Sequence, residues 1–238
     1  MRWRGAVVLA AVLWPFTAGA FDIGGSLVAR GWFFGASGQA DRTDLDPLGF
    51  DDAKGQPEIE GTLVLGGRHH LGVTYLHVRR EEEGTTTGTI LGILRFQDDV
   101  SLDLTVDYVR AHYGYSLISN AWLDLEPFLE AAYIHESTDL VDRTFNQRSR
   151  QKEDIGFPFP GAEVVIAPSL PVQLIGRAEG MGINRGHAID VQGGAQAQWG
   201  MFMAGFGYRW MKFVVDDHDE AIADVRLKGF YAEGGLRF

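Results

Sequence analysis

Cysteine is absent from all 238 residues. No disulfide can hold this chain, and no thiolate can serve it as nucleophile or metal ligand. Cations are scarce as well: 21 Lys and Arg stand against 32 Asp and Glu, a formal net charge of −11. That sign excludes a nucleic-acid partner, whose binding needs a cationic footprint. The third absence is a long apolar run. Outside the N-terminus no stretch reaches about 18 apolar residues, so no helix is expected to cross a bilayer. Residues 6–13 are apolar but fall short of the roughly 20 residues a spanning helix needs.

Arg2 and Arg4 precede that short run, and Thr17-Ala18-Gly19-Ala20 follows it. A basic head, a brief apolar middle and small residues at the Ala18 and Ala20 positions are the pattern of a secretory signal peptide. We expect residues 1–20 to be removed and residues 21–238 to form one all-β domain. An exported, disulfide-free domain must be held by other means, and a closed strand ladder suffices.

The remaining chain alternates with period two. Ile59, Gly61, Leu63 and Leu65 share one face, with Glu58, Glu60 and Thr62 on the other. Leu71, Val73 and Tyr75 repeat the pattern, as do Leu125, Leu129, Ala131 and Tyr133 against Asp124, Glu126 and Glu130. Val172, Leu174, Gly176 and Ala178 oppose Gln173, Arg177 and Glu179, while Phe202, Ala204, Phe206, Tyr208 and Trp210 form the most aromatic stripe. A transmembrane barrel alternates apolar outward and polar inward, which keeps its average hydropathy modest. The pattern predicts a transmembrane antiparallel up-and-down β-barrel of about ten strands, with eight or twelve as the alternatives.

Polar stretches at 35–56, 81–87, 137–157 and 216–220 read as upper loops, and short turns at 66–69, 118–120 and 168–171 as lower ones. Residues 88–96 fit either a strand extension or a small hairpin. In the segment 101–117 the apolar set changes phase, from Leu102, Leu104 and Val106 to Val109, Ala111, Tyr113 and Tyr115. One extra residue near Tyr108, a β-bulge, would account for that. Pro127 lies inside a regular strand and predicts a bulge or a missing ladder bond. Two aromatic girdles are expected at the lipid interfaces. Trp32, Phe33, Tyr75, Tyr133 and Trp210 would form the upper one; Tyr113, Tyr115, Trp122, Trp199, Phe202 and Phe238 would form the lower.

The inward face is charged. Its predicted carboxylates are Glu58, Glu60, Asp124, Glu126, Glu130, Glu163, Glu179, Asp190 and Glu233; its predicted guanidiniums are Arg30, Arg110, Arg177, Arg209 and Arg237. Two outcomes follow from such a lining. The charges pair and fill a narrow lumen, or the acid excess lines a small cation-preferring path, as carboxylate rings do. Catalytic signals are weak. His135-Glu136-Ser137 offers base, acid and nucleophile types, but neighbours along a strand point to opposite faces and form no triad unaided. His69-His70 is split in the same way. Residues 216–220 lack the spacing and glycine of a calcium loop, and no Gly pair opens a helix that would cradle phosphate. No catalytic residue, cofactor or metal site is expected.

The end of the chain, Phe230-Tyr231-Ala232-Glu233-Gly234-Gly235-Leu236-Arg237-Phe238, resembles the C-terminal signal of bacterial outer-membrane proteins. The resemblance implies that the barrel-assembly machinery reads Phe230, Leu236 and Phe238. The chain also resembles a poorly characterised group of small outer-membrane proteins with a Gly-Gly pair in the last strand. Leu102-Asp103-Leu104-Thr105, Ser119-Asn120-Ala121-Trp122-Leu123-Asp124-Leu125, Gly207-Tyr208-Arg209 and Gly234-Gly235 carry that likeness. It implies a place and a fold but no reaction. The expectation is a non-enzymatic protein of the Gram-negative outer membrane, structural or weakly channel-forming, with outer-membrane lipid and lipopolysaccharide as partners. The alternatives are an outer-membrane hydrolase acting on lipid or peptide, and a soluble periplasmic barrel carrying an apolar ligand.

Overall fold

The computed structural model describes residues 22–40, 43–44, 51–85, 88–90, 94–96, 99–142, 147–183, 186–217 and 220–238. The expected leader, residues 1–20, lies outside them, as do Asn184, Arg185, His218 and Asp219. Ten long strands build the fold: β1 (Ile23–Ala40), β2 (Lys54–Leu65), β3 (His69–Thr85), β4 (Asp99–Tyr115), β5 (Leu123–Asp142), β6 (Gln147–Ile166), β7 (Val172–Ile183), β8 (Gly186–Trp199), β9 (Phe202–Asp217) and β10 (Glu220–Arg237). Each pairs antiparallel with the next, and β1 pairs with β10 from Ser26↔Arg237 to Ala40↔Ala223. The ladder closes on itself and leaves no free edge along the wall. Thr43–Asp44 and Ile118–Ser119 are short additions beside β1 and β5. Gly88–Ile90 and Leu94–Phe96 form a separate small hairpin, which settles the segment the sequence left open.

The lower end holds the tight turns. Gly66 and Gly67 both have positive φ, 60° and 67°, which only glycine adopts freely and which suits the twist of the β2–β3 connection. Both ends of the wall meet there: Gly25 and Phe238 exchange backbone hydrogen bonds of 2.8 and 2.9 Å.

Three sequence expectations are corrected. Residues 137–157 are not a loop. β5 and β6 pair continuously from Leu123↔Ile166 to Asp142↔Gln147, so residues 137–142 and 147–157 are paired strand. Polar residues at alternate and intervening positions hid the strands. No bulge sits near Tyr108 either, because β4 keeps one register against β3 and against β5. Pro127 stays in register opposite Ala162, on the outer face, so of its two expected outcomes the bulge does not form, while its ring nitrogen has no hydrogen to give the ladder. Among the described pairings with β9, the one register shift falls at Val215/Asp216. Trp32 is no girdle residue: it points inward and is 0% exposed.

Sidedness explains these errors together. In the lower part of the wall the outer face is apolar, with Leu27, Val73, Leu129, Leu174, Val191 and Phe206 exposed, the last at 68%. An outward aromatic row, Tyr208, Phe230 and Phe33 on adjacent strands, marks the upper edge of this belt, and Tyr75 and Tyr133 continue it. Above that row the faces exchange character. His77, Asp107, His135 and Asp154 now lie outside, in one line across four strands. Trp32, Phe34, Leu76, Val78, Tyr108, Phe159 and Met211 pack inside as a hydrophobic core, with Val106, Ile134, Phe157, Phe213 and Leu227 against it. At this boundary the strand register does not slip; the two faces exchange character.

Candidate functional site

Among the described residues, titratable side chains converge most densely in the lumen. Below the apolar core, inward positions of eight strands bring Arg30, Glu58, Arg110, Glu130, Arg177, Glu179, Asp190, Arg209 and Glu233 into one ion-pair network. Arg209 is 0% exposed. It donates to Asp190 through Nε and Nη2 at 3.0 and 2.5 Å, and to Glu58 through Nη1 at 2.9 Å. Arg30 pairs with Glu58 on β2 and with Glu233 on β10, the latter at 2.8 Å. Arg177 reaches Glu130 at 2.6 Å and Glu179 at 3.2 Å, and Arg110 donates to Glu179 at 3.1 Å. Charges this deeply buried are tolerable only when paired and hydrogen-bonded on several sides.

Each of the four guanidiniums of this network also lies over an aromatic ring. Arg209 covers Trp32 at 4.6 Å, Arg110 covers Tyr108 at 5.3 Å, Arg30 covers Tyr231 at 5.0 Å and Arg177 covers Phe128 at 4.2 Å. Trp32, Tyr108 and Tyr231 belong to the core above. The stacking therefore welds the charged layer to the apolar one, at about 0.5–2 kcal/mol for each cation–π pair.

Beneath the network a vestibule of about 220 Å³ opens at the lower end, lined in part by Glu60, Asp124, Glu126, Glu163, Gln196 and Arg237. Glu126 pairs with His70 at 2.8 Å. Glu163 stands directly across from Glu126 on β5 and from Arg177 on β7. Asp124 sits nearer the rim and accepts from Ser119 at 3.1 Å; Arg237 lies at the mouth beside Gln198, 3.3 Å away. Of the charged residues the sequence placed inside, nine thus join the ion-pair network and the other five line the space below it, which Arg30, Arg177 and Glu233 of the network also border.

Glycine was the signal the sequence reading passed over. A Cβ at Gly72 would meet the His112 ring at 2.0 Å, and one at Gly114 would meet the Glu126 carboxylate at 1.7 Å. Gly205 and Gly207 make the same allowance for their cross-strand partners Glu233 and Tyr231. A narrow lumen accepts large polar side chains only where the neighbouring strand offers none.

The other candidates are dispersed. Outside the wall, Tyr75 and His77 both donate to Asp107, at 2.6 and 2.8 Å, and Tyr133 and His135 both donate to Asp154, at 2.8 and 2.6 Å. His135 and Ser137 share the outer face, whereas Glu136 belongs to the inner one, so the three make no triad. His69 meets Tyr113 at 2.9 Å on the outer surface, away from His70. No group of three metal-ligating side chains with suitable geometry occurs among the described residues. Phe230 and Phe238 are exposed at 69% and 72%, and Leu236 also faces out.

No protein-family model and no curated protein matches the chain. Among solved structures it is similar to the outer membrane protease OmpT of Escherichia coli, at 9% identity and TM-score 0.49 over 93% of this chain and 99% of that one. It is also similar to Ail, the attachment invasion locus protein of Yersinia pestis, at 12% identity and TM-score 0.42 over 90% and 99% of the two chains. The toluene transporter TodX of Pseudomonas putida is a further match, at 7% identity and TM-score 0.34 over 92% and 90%. These likenesses are of architecture, that of small outer-membrane barrels.

Proposed function

We propose that the chain is an integral outer-membrane barrel with a closed lumen and a structural, non-enzymatic role, reached after removal of residues 1–20. The exchange of sidedness at the upper aromatic row carries this reading. A soluble barrel would be polar outside along its whole height. This wall is apolar outside for its lower part only, over a band bounded by aromatic residues, as a bilayer requires. The sealed Arg30–Glu58–Arg209–Asp190 layer and the core above it support a plug rather than a path.

Two measurements test the proposal. The purified chain, refolded in detergent, is expected to migrate faster unheated than boiled on gels; native folding in plain buffer would invert the orientation and sink it. Planar bilayers holding the refolded chain are expected to stay without discrete conductance steps. Steady cation-selective steps, altered by charge reversal at Glu126 and Glu130, would replace the scaffold with a narrow channel.

A further inference from the structure

The outer wall carries one feature that a plain scaffold does not need. Between β9, β10 and β1, at the height of the upper aromatic row, lies a groove of about 420 Å³ facing outward. Its floor is the Tyr208–Phe230–Phe33 row, in direct cross-strand succession. One rung higher the succession is Trp210, Lys228 and Gly35. Gly35 leaves the wall bare beside Lys228, and it must, because a Cβ there would lie 2.1 Å from the Asp51 carbonyl oxygen. Asp51 and Ala53 form the groove's rim, and Ser37 adds a hydroxyl position above Gly35.

Lys228 stands apart from the cations near it. Lys212 and Arg226 both engage Asp224, at 3.3 and 3.4 Å. Lys228 is exposed and makes no ion pair among the described residues. An unpaired ammonium fixed just above an aromatic ladder matches a lipid whose phosphate lies at the interface and whose first methylenes lie below it. Asp51 is the one carboxylate among the residues lining the groove.

We propose that this groove binds the phosphate-bearing headgroup of one outer-leaflet lipid, with Lys228 on the phosphate and Phe33, Tyr208 and Phe230 against the acyl stem. This rests on the membrane reading above. Heat-modifiable mobility is therefore checked first: a chain that never acquires it refutes the membrane reading and the site with it. Folded protein is then examined by native mass spectrometry in micelles doped with equal phosphatidylglycerol and digalactosyl diacylglycerol of matched chains. One retained phosphatidylglycerol per chain is expected, in preference to the phosphate-free lipid. Lys228→Gln should weaken retention about tenfold, equivalent to roughly 1.4 kcal/mol. Lys228→Arg should restore it, and Arg68→Gln, at the opposite end of the wall, should not change it. Equal retention by wild type and Lys228→Gln, no preference for the phosphate lipid, or displacement by millimolar inorganic phosphate would each overturn the assignment.

Discussion

The lower and upper parts of this barrel are made from the same ten strands, with no register slip at the boundary between them, yet they obey opposite rules. Below the Tyr208–Phe230–Phe33 row, Leu129 and Phe206 face out while Glu130 and Arg209 are buried inside. Above it, Lys212 and Asp107 face out while Met211 and Tyr108 are buried inside. The upper part is ordinary water-soluble β-structure, with apolar side chains driven inward by water. On the membrane reading proposed above, the lower part has no water outside, so its polar groups have only each other. The difference teaches that the hydrophobic phase of a strand reports the medium on its outer face. Reading it as geometry alone invents bulges.

The comparison breaks most visibly at the charged layer. Arg209→Leu leaves Asp190 and Glu58 short of a partner inside the wall, and should cost about 3–5 kcal/mol. Urea unfolding of the folded protein, followed by loss of heat-modifiable mobility, would show it. Removing Asp190 together with Arg209 should recover much of that loss, since Glu58 keeps Arg30. If Arg209→Leu were neutral, the layer would be wet and open rather than sealed.

A lysine placed on the outer face sharpens the boundary itself. Ala111 faces outward within the apolar belt, between Val73 and Ala131. Ala111→Lys should cost about 2–4 kcal/mol, as a cation does near the bilayer midplane. Thr105 lies on the same face of the same strand, between Arg79 and Ser137. Thr105→Lys should cost about 0–1 kcal/mol, because it stands above the belt. Equal costs at the two positions would erase the proposed edge.

Much of this was legible in the residues. Period two, the even strand number and the inward charges follow from alternation alone. The partners within the lumen do not. Arg209 and Glu58 are 151 positions apart, and only closure of the wall brings them to 2.9 Å. Trp32 was misplaced because an aromatic residue near a strand end fits a girdle as well as a core; its neighbour Phe33 took the outer position. The stretch 137–157 was misread because Asp139 and Arg148, bidentate across a hairpin in water, look in sequence like loop residues. Gly72 and Gly114 were visible but mute, since their meaning lies in His112 and Glu126 on other strands.

The smallest expected effect belongs to the row just above the boundary, and it depends on pH. Asp107 is held below its ordinary carboxylate range by the Tyr75 hydroxyl first and by His77 as well. Asp154 is lowered in the same way by His135 and Tyr133. A carboxylate whose folded value is depressed lends stability that is whole above its unfolded value, about 3.9. That contribution fades as pH falls through the lower folded value. The wild type should therefore exceed the Asp107→Asn, Asp154→Asn double variant in urea midpoint at pH 6, and the gap should narrow by pH 3. Both carboxylates are solvated, so the gap is small beside the cost of Arg209→Leu. A gap that stayed constant over this range would mean the paired tyrosines and histidines hold nothing. A gap that widened on acidification would place the row in contact with lipid rather than water, and would move the boundary upward by one rung.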